Sequence, residues 1–179
     1  MTHITLAVTG SISAYKAADI TSQLTKLGFE VKVLMTPSAQ KFITPLTLQV
    51  LSKNPVGLEV MVEDDPQRIE HIDIGKETDL FLVAPASANT IAKLAMGLAD
   101  NMVTSTALAL PQRTKKLLAP AMNTKMLEHP ATQRNLKLLQ DYGYQIIQPR
   151  DAILACGDKG SGALATVESI VEAVKENCL

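Results

Sequence analysis

A few short stretches hold the side chains that can bind or react. Gly10-Ser11-Ile12-Ser13 combines a flexible turn, two hydroxyls and free backbone N–H groups at what reads as a helix start, an arrangement suited to a phosphate. Its spacing matches neither Gly-x-Gly-x-x-Gly nor a P-loop, and a plain strand-to-helix turn would use the same residues. Ser38, Ser87, Asn89, Thr104 and Ser105 add hydroxyls and an amide. Together these groups suit a hydrogen-bond-rich ligand such as flavin mononucleotide (FMN). His71, between Ile69 and Ile72, has the pKa range of an acid/base group, although an isolated histidine is more often a structural one. Asn123 follows Ala119-Pro120-Ala121-Met122 and fits a helix N-cap as well as a ligand-binding amide. Cys156 lies in Leu154-Ala155-Cys156-Gly157-Asp158, a glycine-bearing stretch outside any apolar element, which favours a reactive thiol. Cys178 reads as inert, His3 and His129 as peripheral, and no histidine pair has metal-ligand spacing, so no metal site is expected.

Positioning these residues falls to a repeated strand–loop–helix pattern. Leu80 to Val83 is an unbroken apolar run of strand length, as expected of a central strand covered on both faces. It gives way at Pro85 to small and hydroxyl-bearing residues, after which Ile91, Leu94, Ala95 and Leu98 recur at helical spacing. Ile4 to Val8, Val31 to Met35 and Lys115 to Ala119 end the same way, in Thr9-Gly10-Ser11, Thr36-Pro37-Ser38 and Pro120-Ala121-Met122-Asn123. Between the first two strands, Ala17, Ile20, Leu24 and Leu27 form one apolar helix face closed by Gly28. The pattern predicts an α/β chain, a parallel sheet flanked by helices, with ligands at the carboxyl ends of the strands. Further helices are expected from Ser38 to Phe42, Leu46 to Leu51, Asn101 to Leu110, Ala131 to Tyr142 and Val167 to Val174, and a strand over Tyr144 to Ile147. A short helical turn is expected just before the central strand. Lys53 to Pro66 reads as a surface excursion, and Pro149 to Leu164 as one long functional loop.

At 179 residues the chain fits a single domain, 1–179, with no linker or repeat. Its 17 basic and 18 acidic residues give a net charge of −1, so nucleic-acid binding has no electrostatic support. No apolar segment is long enough to span a bilayer, and Met-Thr-His leads directly into a strand without a secretory signal. Two cysteines are too few for a disulfide framework, and a cytoplasmic setting is the expectation. With no Trp, three Phe and three Tyr, aromatic stacking is not how this chain would hold a planar ring.

In combination the motifs are more specific than any one of them. Val8-Thr9-Gly10-Ser11-Ile12, the His71 segment, Ala84-Pro85-Ala86-Ser87-Ala88-Asn89, Pro120-Ala121-Met122-Asn123 with Met126, and Ala155-Cys156-Gly157-Asp158 occur in one order. From Ile4 to about Val174 the chain resembles the homo-oligomeric flavin-containing cysteine decarboxylases. The resemblance implies a Rossmann-like flavoprotein fold and FMN held by the strand-end loops, with Ile12, Pro85 and Ala88 joining the polar residues already named. It also implies a trimer, or a dodecamer built of trimers, with active sites between subunits. The implied roles are His71 as catalytic base, Asn123 as binder of the substrate carboxylate, and Cys156 as proton donor of the last step, with Met126, Ala155 and Gly157 at the substrate. The implied reaction converts 4′-phosphopantothenoylcysteine to 4′-phosphopantetheine in coenzyme A biosynthesis. It runs through oxidation of the thiol to a thioaldehyde, loss of CO2 and re-reduction of the enethiol. Many relatives carry a fused ligase that makes the substrate; this chain stops before such a domain, so a separate ligase is expected. The alternatives are oxidative decarboxylation of a peptide's C-terminal cysteine, or a non-catalytic FMN-binding regulatory subunit. The sequence departs from the family at Ala163-Leu164, where an Arg-Met pair is common, and at Leu127, where an aromatic residue is common.

Overall fold

In the computed structural model, which describes residues 1–62, 66–155, 157 and 159–178, five parallel strands form one sheet. The strands are β1 (His3–Val8), β2 (Glu30–Met35), β3 (Leu80–Ala86), β4 (Lys115–Pro120) and β5 (Tyr144–Ile146), in the order β2-β1-β3-β4-β5. Every strand is parallel to its neighbour, so the carboxyl ends of all five share one edge. The order reverses between β1 and β3, and a crevice opens above the sheet at such a switch point.

Both faces of the central strands are covered. Ile4, Leu6, Val8, Leu80, Leu82 and Ala84 pack into one core with α1 (Ala17–Lys26), α2 (Pro45–Ser52) and α8 (Val167–Cys178). Ala7, Phe81, Val83 and Leu118 face the other. That second core is closed by α3 (Glu70–Glu77), α4 (Ala88–Met96), α5 (Met102–Leu108) and α7 (Pro130–Asp141). All seven residues of β3 are buried, the condition that makes an uninterrupted apolar run tolerable.

Several boundaries differ from the sequence reading. The first helix is preceded by a 3₁₀ turn, Ile12–Lys16, and Leu27 and Leu98 fall just past their helices with half of their surface exposed. Residues 39–41 make only a 3₁₀ turn. The largest difference is at 149–164, where the expected loop is a hairpin of β6 (Arg150–Ile153) and β7 (Lys159–Ala163), paired antiparallel. Apolar alternation is absent because these strands lie apart from the sheet and bury little, so nothing selects hydrophobic residues on one face. No described helix is long and apolar enough to cross a membrane.

Candidate functional site

The strand-end loops of β1 and β3 are tied together by one buried hydroxyl. Thr9 Oγ1 donates to Pro85 O (2.7 Å) and accepts from the Ser87 N–H (2.9 Å), and Thr9 is fully buried. The β2 loop joins through contact: a Cβ on Gly10 would sit 2.6 Å from Ser38 Cβ, so glycine alone lets these backbones approach. Ser11 accepts from the Ser13 N–H (3.3 Å) and Ser87 from the Thr90 N–H (3.3 Å), capping the 3₁₀ turn and α4. At the end of β4, the Ala121 N–H donates to Ala86 O (3.1 Å). Asn123 then caps α6 (Thr124–Glu128), its Oδ1 accepting from the Lys125 N–H at 2.9 Å. That bond fixes the rotamer of a half-buried amide, and the same residue lines the cavity above the loops.

Above these loops lies a cavity of about 520 Å³, within the range of small-molecule sites. Gly10, Ser11 and Ile12 line it from β1, and Ser87 and Ala88 from β3. Asn123 and Met126 line it from the α6 segment, and Ala155 from the hairpin connection. The hairpin forms the far wall, with Ile153, Leu154, Ala163 and Leu164 facing in. No aspartate or glutamate is among the described lining residues, whereas Lys16 and Arg150 are. Sequence reasoning missed both cations. Lys16 looks like an exposed residue of an amphipathic helix, and Arg150 lay in an apparent loop. Arg150 pairs across the hairpin with Ala163. Its Nε donates to Leu164 O at 3.2 Å, and Leu164 is fully buried.

Other expected site residues lie elsewhere in a single chain. Ser38 and Pro85 stand behind the wall, against Gly10 and Thr9. Asn89 and Gly157 are not on the lining; Gly157 turns the chain at φ +88° and donates to Leu154 O (2.8 Å). Thr104 and Ser105 are buried at the start of α5, where Asn101 and Thr104 form a reciprocal cap (Thr104 N–H to Asn101 Oδ1, 3.1 Å). They read as ligand groups in sequence because cap residues and ligand residues are the same types. His71 lies in the first turn of α3, half-buried and off the cavity, with Nδ1 buried and unpartnered among the described residues. The helix that carries it is anchored by Asp73, whose carboxyl is held below its usual range first by the Arg68 hydrogen bond and then by that of Lys76. Cys156 lies outside the described residues. Burial, and secondarily the Asp79 charge, pushes the Cys178 thiol up, which agrees with an inert role.

The flavoprotein family model matches residues 1–179. The chain belongs to the flavoprotein family. This flavoprotein is 64% identical over 173 residues to a "probable phosphopantothenoylcysteine decarboxylase" of Streptococcus mutans, covering 97% of each chain. It is 45% identical over 175 residues to the "coenzyme A biosynthesis bifunctional protein CoaBC" of Bacillus subtilis, covering 98% of this chain but only 43% of that one. Among solved structures it matches a PPC decarboxylase mutant complexed with pantothenoylaminoethenethiol (TM-score 0.90, 31% identity, 98% of this chain and 97% of that one). The FMN-binding protein AtHal3 matches with a TM-score of 0.86 at 32% identity, over 98% of this chain and 95% of that one.

Proposed function

We propose that this flavoprotein is a phosphopantothenoylcysteine decarboxylase that converts 4′-phosphopantothenoylcysteine to 4′-phosphopantetheine with FMN as cofactor. The observation that carries the reading is the convergence of three loops and a hairpin on one cavity whose described charged lining is purely cationic. FMN and the substrate both bear phosphates, and the substrate a carboxylate as well. The cavity suits FMN in three respects: the close Gly10–Ser38 approach, the hydroxyls of Ser11, Ser13 and Ser87 at its rim, and the absence of a described carboxylate.

FMN supplies the two-electron oxidation and re-reduction at the substrate's thiol carbon; the protein supplies position and proton traffic. Asn123 would orient the leaving carboxylate with a neutral amide. A cation there would stabilise the charged ground state, which is lost as CO2 departs. Ala121, Met122 and Met126 place apolar surface beside Asn123, so the carboxylate is bound without full hydration. Cys156 would donate the final proton, and its neighbour Ala155 lines the cavity. His71 is not among the residues that line the cavity of its own chain, and the reading therefore gives it to a neighbouring subunit in a trimer-based assembly. Exposed Ile12 and Tyr15 at the cavity rim, and exposed Ile69 two residues before His71, supply apolar surface for such a contact.

Cys156→Ser tests the sequence of steps. The variant should keep FMN and CO2 release but yield the oxidised enethiol product. Normal 4′-phosphopantetheine from that variant would remove Cys156 from the mechanism.

A further inference from the structure

The cavity has walls of different character. The loop wall presents the hydroxyls of Ser11, Ser13 and Ser87, with Lys16 at the end of the 3₁₀ turn that Ser11 caps. The hairpin wall presents aliphatic Ala152, Ile153, Leu154, Ala163 and Leu164, no hydroxyl among its described residues, and one charge, Arg150. Arg150 opens β6 and is paired in register with Ala163. Its Nε–H donates to Leu164 O at 3.2 Å, which orients the guanidinium and leaves the donors of Nη1 and Nη2 for a second acceptor. No carboxylate is ion-paired with Arg150 among the described residues, and the adjacent Asp151 is not on the lining. A planar fork held in this way suits the oxygens of a phosphate.

We propose that Arg150 selects the phosphorylated substrate, its guanidinium binding the 4′-phosphate of 4′-phosphopantothenoylcysteine while Asn123 holds the carboxylate at the other end. The proposal rests on the decarboxylase reading above. Under that reading the cofactor and the substrate each bring a phosphate, and the chemistry next to each phosphate differs. FMN carries its phosphate on a hydroxyl-rich ribityl chain, which calls for the hydrogen-bonding loop wall. The substrate carries its phosphate next to a dimethyl-substituted carbon, which calls for a cation set in apolar surface. The hairpin wall supplies that combination: Arg150 paired with Ala163, bonded to the backbone of Leu164, and continuous with Ile153 and Leu154. Phosphate and reacting cysteine lie at opposite ends of the substrate, so Arg150 acts in binding and not in the chemical step. An interaction made equally in the ground and transition states lowers KM without raising kcat.

The test compares 4′-phosphopantothenoylcysteine with its dephosphorylated analogue, pantothenoylcysteine, at saturating FMN, with CO2 release as the readout. Wild type should favour the phosphorylated substrate by roughly 10- to 100-fold in kcat/KM, the worth of charge-assisted hydrogen bonds to one phosphate. In Arg150→Met, which keeps the aliphatic stem, that preference should fall by the same factor, through a raised KM for the phosphorylated substrate alone. Turnover of pantothenoylcysteine and FMN affinity by fluorescence titration should match wild type. Arg150→Lys keeps the charge without the fork and should recover part of the preference. Lys16→Ala removes a cation from the other wall and should leave the preference in place; an equal fall there would mean diffuse attraction and overturn the proposal. An equal loss for both substrates in Arg150→Met would make Arg150 structural, and a loss of FMN affinity would give it to the cofactor; either overturns the proposal. Equal kcat/KM for the two substrates in wild type would do the same. Protein that binds FMN but releases CO2 from neither substrate overturns the decarboxylase reading and the selection role with it. Normal turnover with an unchanged preference in Arg150→Met overturns the selection role alone.

Discussion

At the residue scale, Thr9 has the largest consequence per atom. Its hydroxyl satisfies one acceptor and one donor on the β3 loop from a fully buried position on the β1 loop. Thr9→Val would leave Pro85 O and the Ser87 N–H without that partner, at about 1–3 kcal/mol for each unsatisfied group. The expected loss is about 2–6 kcal/mol, or a fall in Tm of roughly 4–24 °C, accompanied by weaker FMN retention. A variant as stable as the parent would show that the tie is dispensable. Lys16 and Arg150 are the other residues of interest, as the charged lining of a cavity read as holding two phosphates. Removing either, by Lys16→Ala or Arg150→Met, should weaken the phosphate it holds by about 10- to 100-fold, the worth of a charge-assisted hydrogen bond. Loss of FMN affinity by fluorescence titration assigns the side chain to the cofactor. A raised KM with FMN affinity intact assigns it to the substrate, and no change in either contradicts both assignments.

At the element scale, the parallel sheet was legible because its signal is redundant. Leu80 to Val83 had to be a strand covered on both faces, and the small polar residues after each strand marked the edge where ligands collect. The hairpin was not legible. Its pairing is carried by backbone groups, which leave no apolar period, and its glycines suggested looseness when they serve close contact. Gly162 is the clearest case, with φ at +131° and a register shift between Arg150 and Asp151 opposite it. That geometry matches a bulge that turns β7 toward the Met122 carbonyl. Gly162→Ala combines an unfavourable backbone with a 2.2 Å clash. Backbone strain of this kind costs about 1–3 kcal/mol, so the hairpin should detach while the sheet holds. Circular dichroism should be near normal with FMN bound and turnover lost; full activity would show that the hairpin is not part of the site. Thr104 and Ser105 illustrate the opposite ambiguity, since hydroxyls at a helix start satisfy the backbone as well as any ligand.

For the whole molecule, the described lining of the cavity does not include His71, an arrangement that no spacing in the sequence could reveal. Which residues face a cavity depends on distant loops meeting, and His71 sits half-buried in the first turn of α3, two residues after exposed Ile69. If neighbouring subunits complete each other's sites, mixing inactive His71→Asn with inactive Asn123→Arg under conditions that exchange subunits should restore part of the activity. Mixed assemblies without any recovery would place both residues in one chain's site. The resulting enzyme neither gains nor loses electrons overall, which separates it from an oxidative decarboxylase acting on a peptide's C-terminal cysteine.

That redox neutrality gives the most direct test. Purified protein with bound FMN should be given 4′-phosphopantothenoylcysteine labelled in the cysteine carboxyl, without oxygen and without added reductant, and labelled CO2 and 4′-phosphopantetheine counted over many turnovers. The account predicts equal amounts of both, with the flavin spectrum oxidised again at the end. A single turnover that stops with bleached flavin, or a yellow protein that releases no CO2, would contradict it.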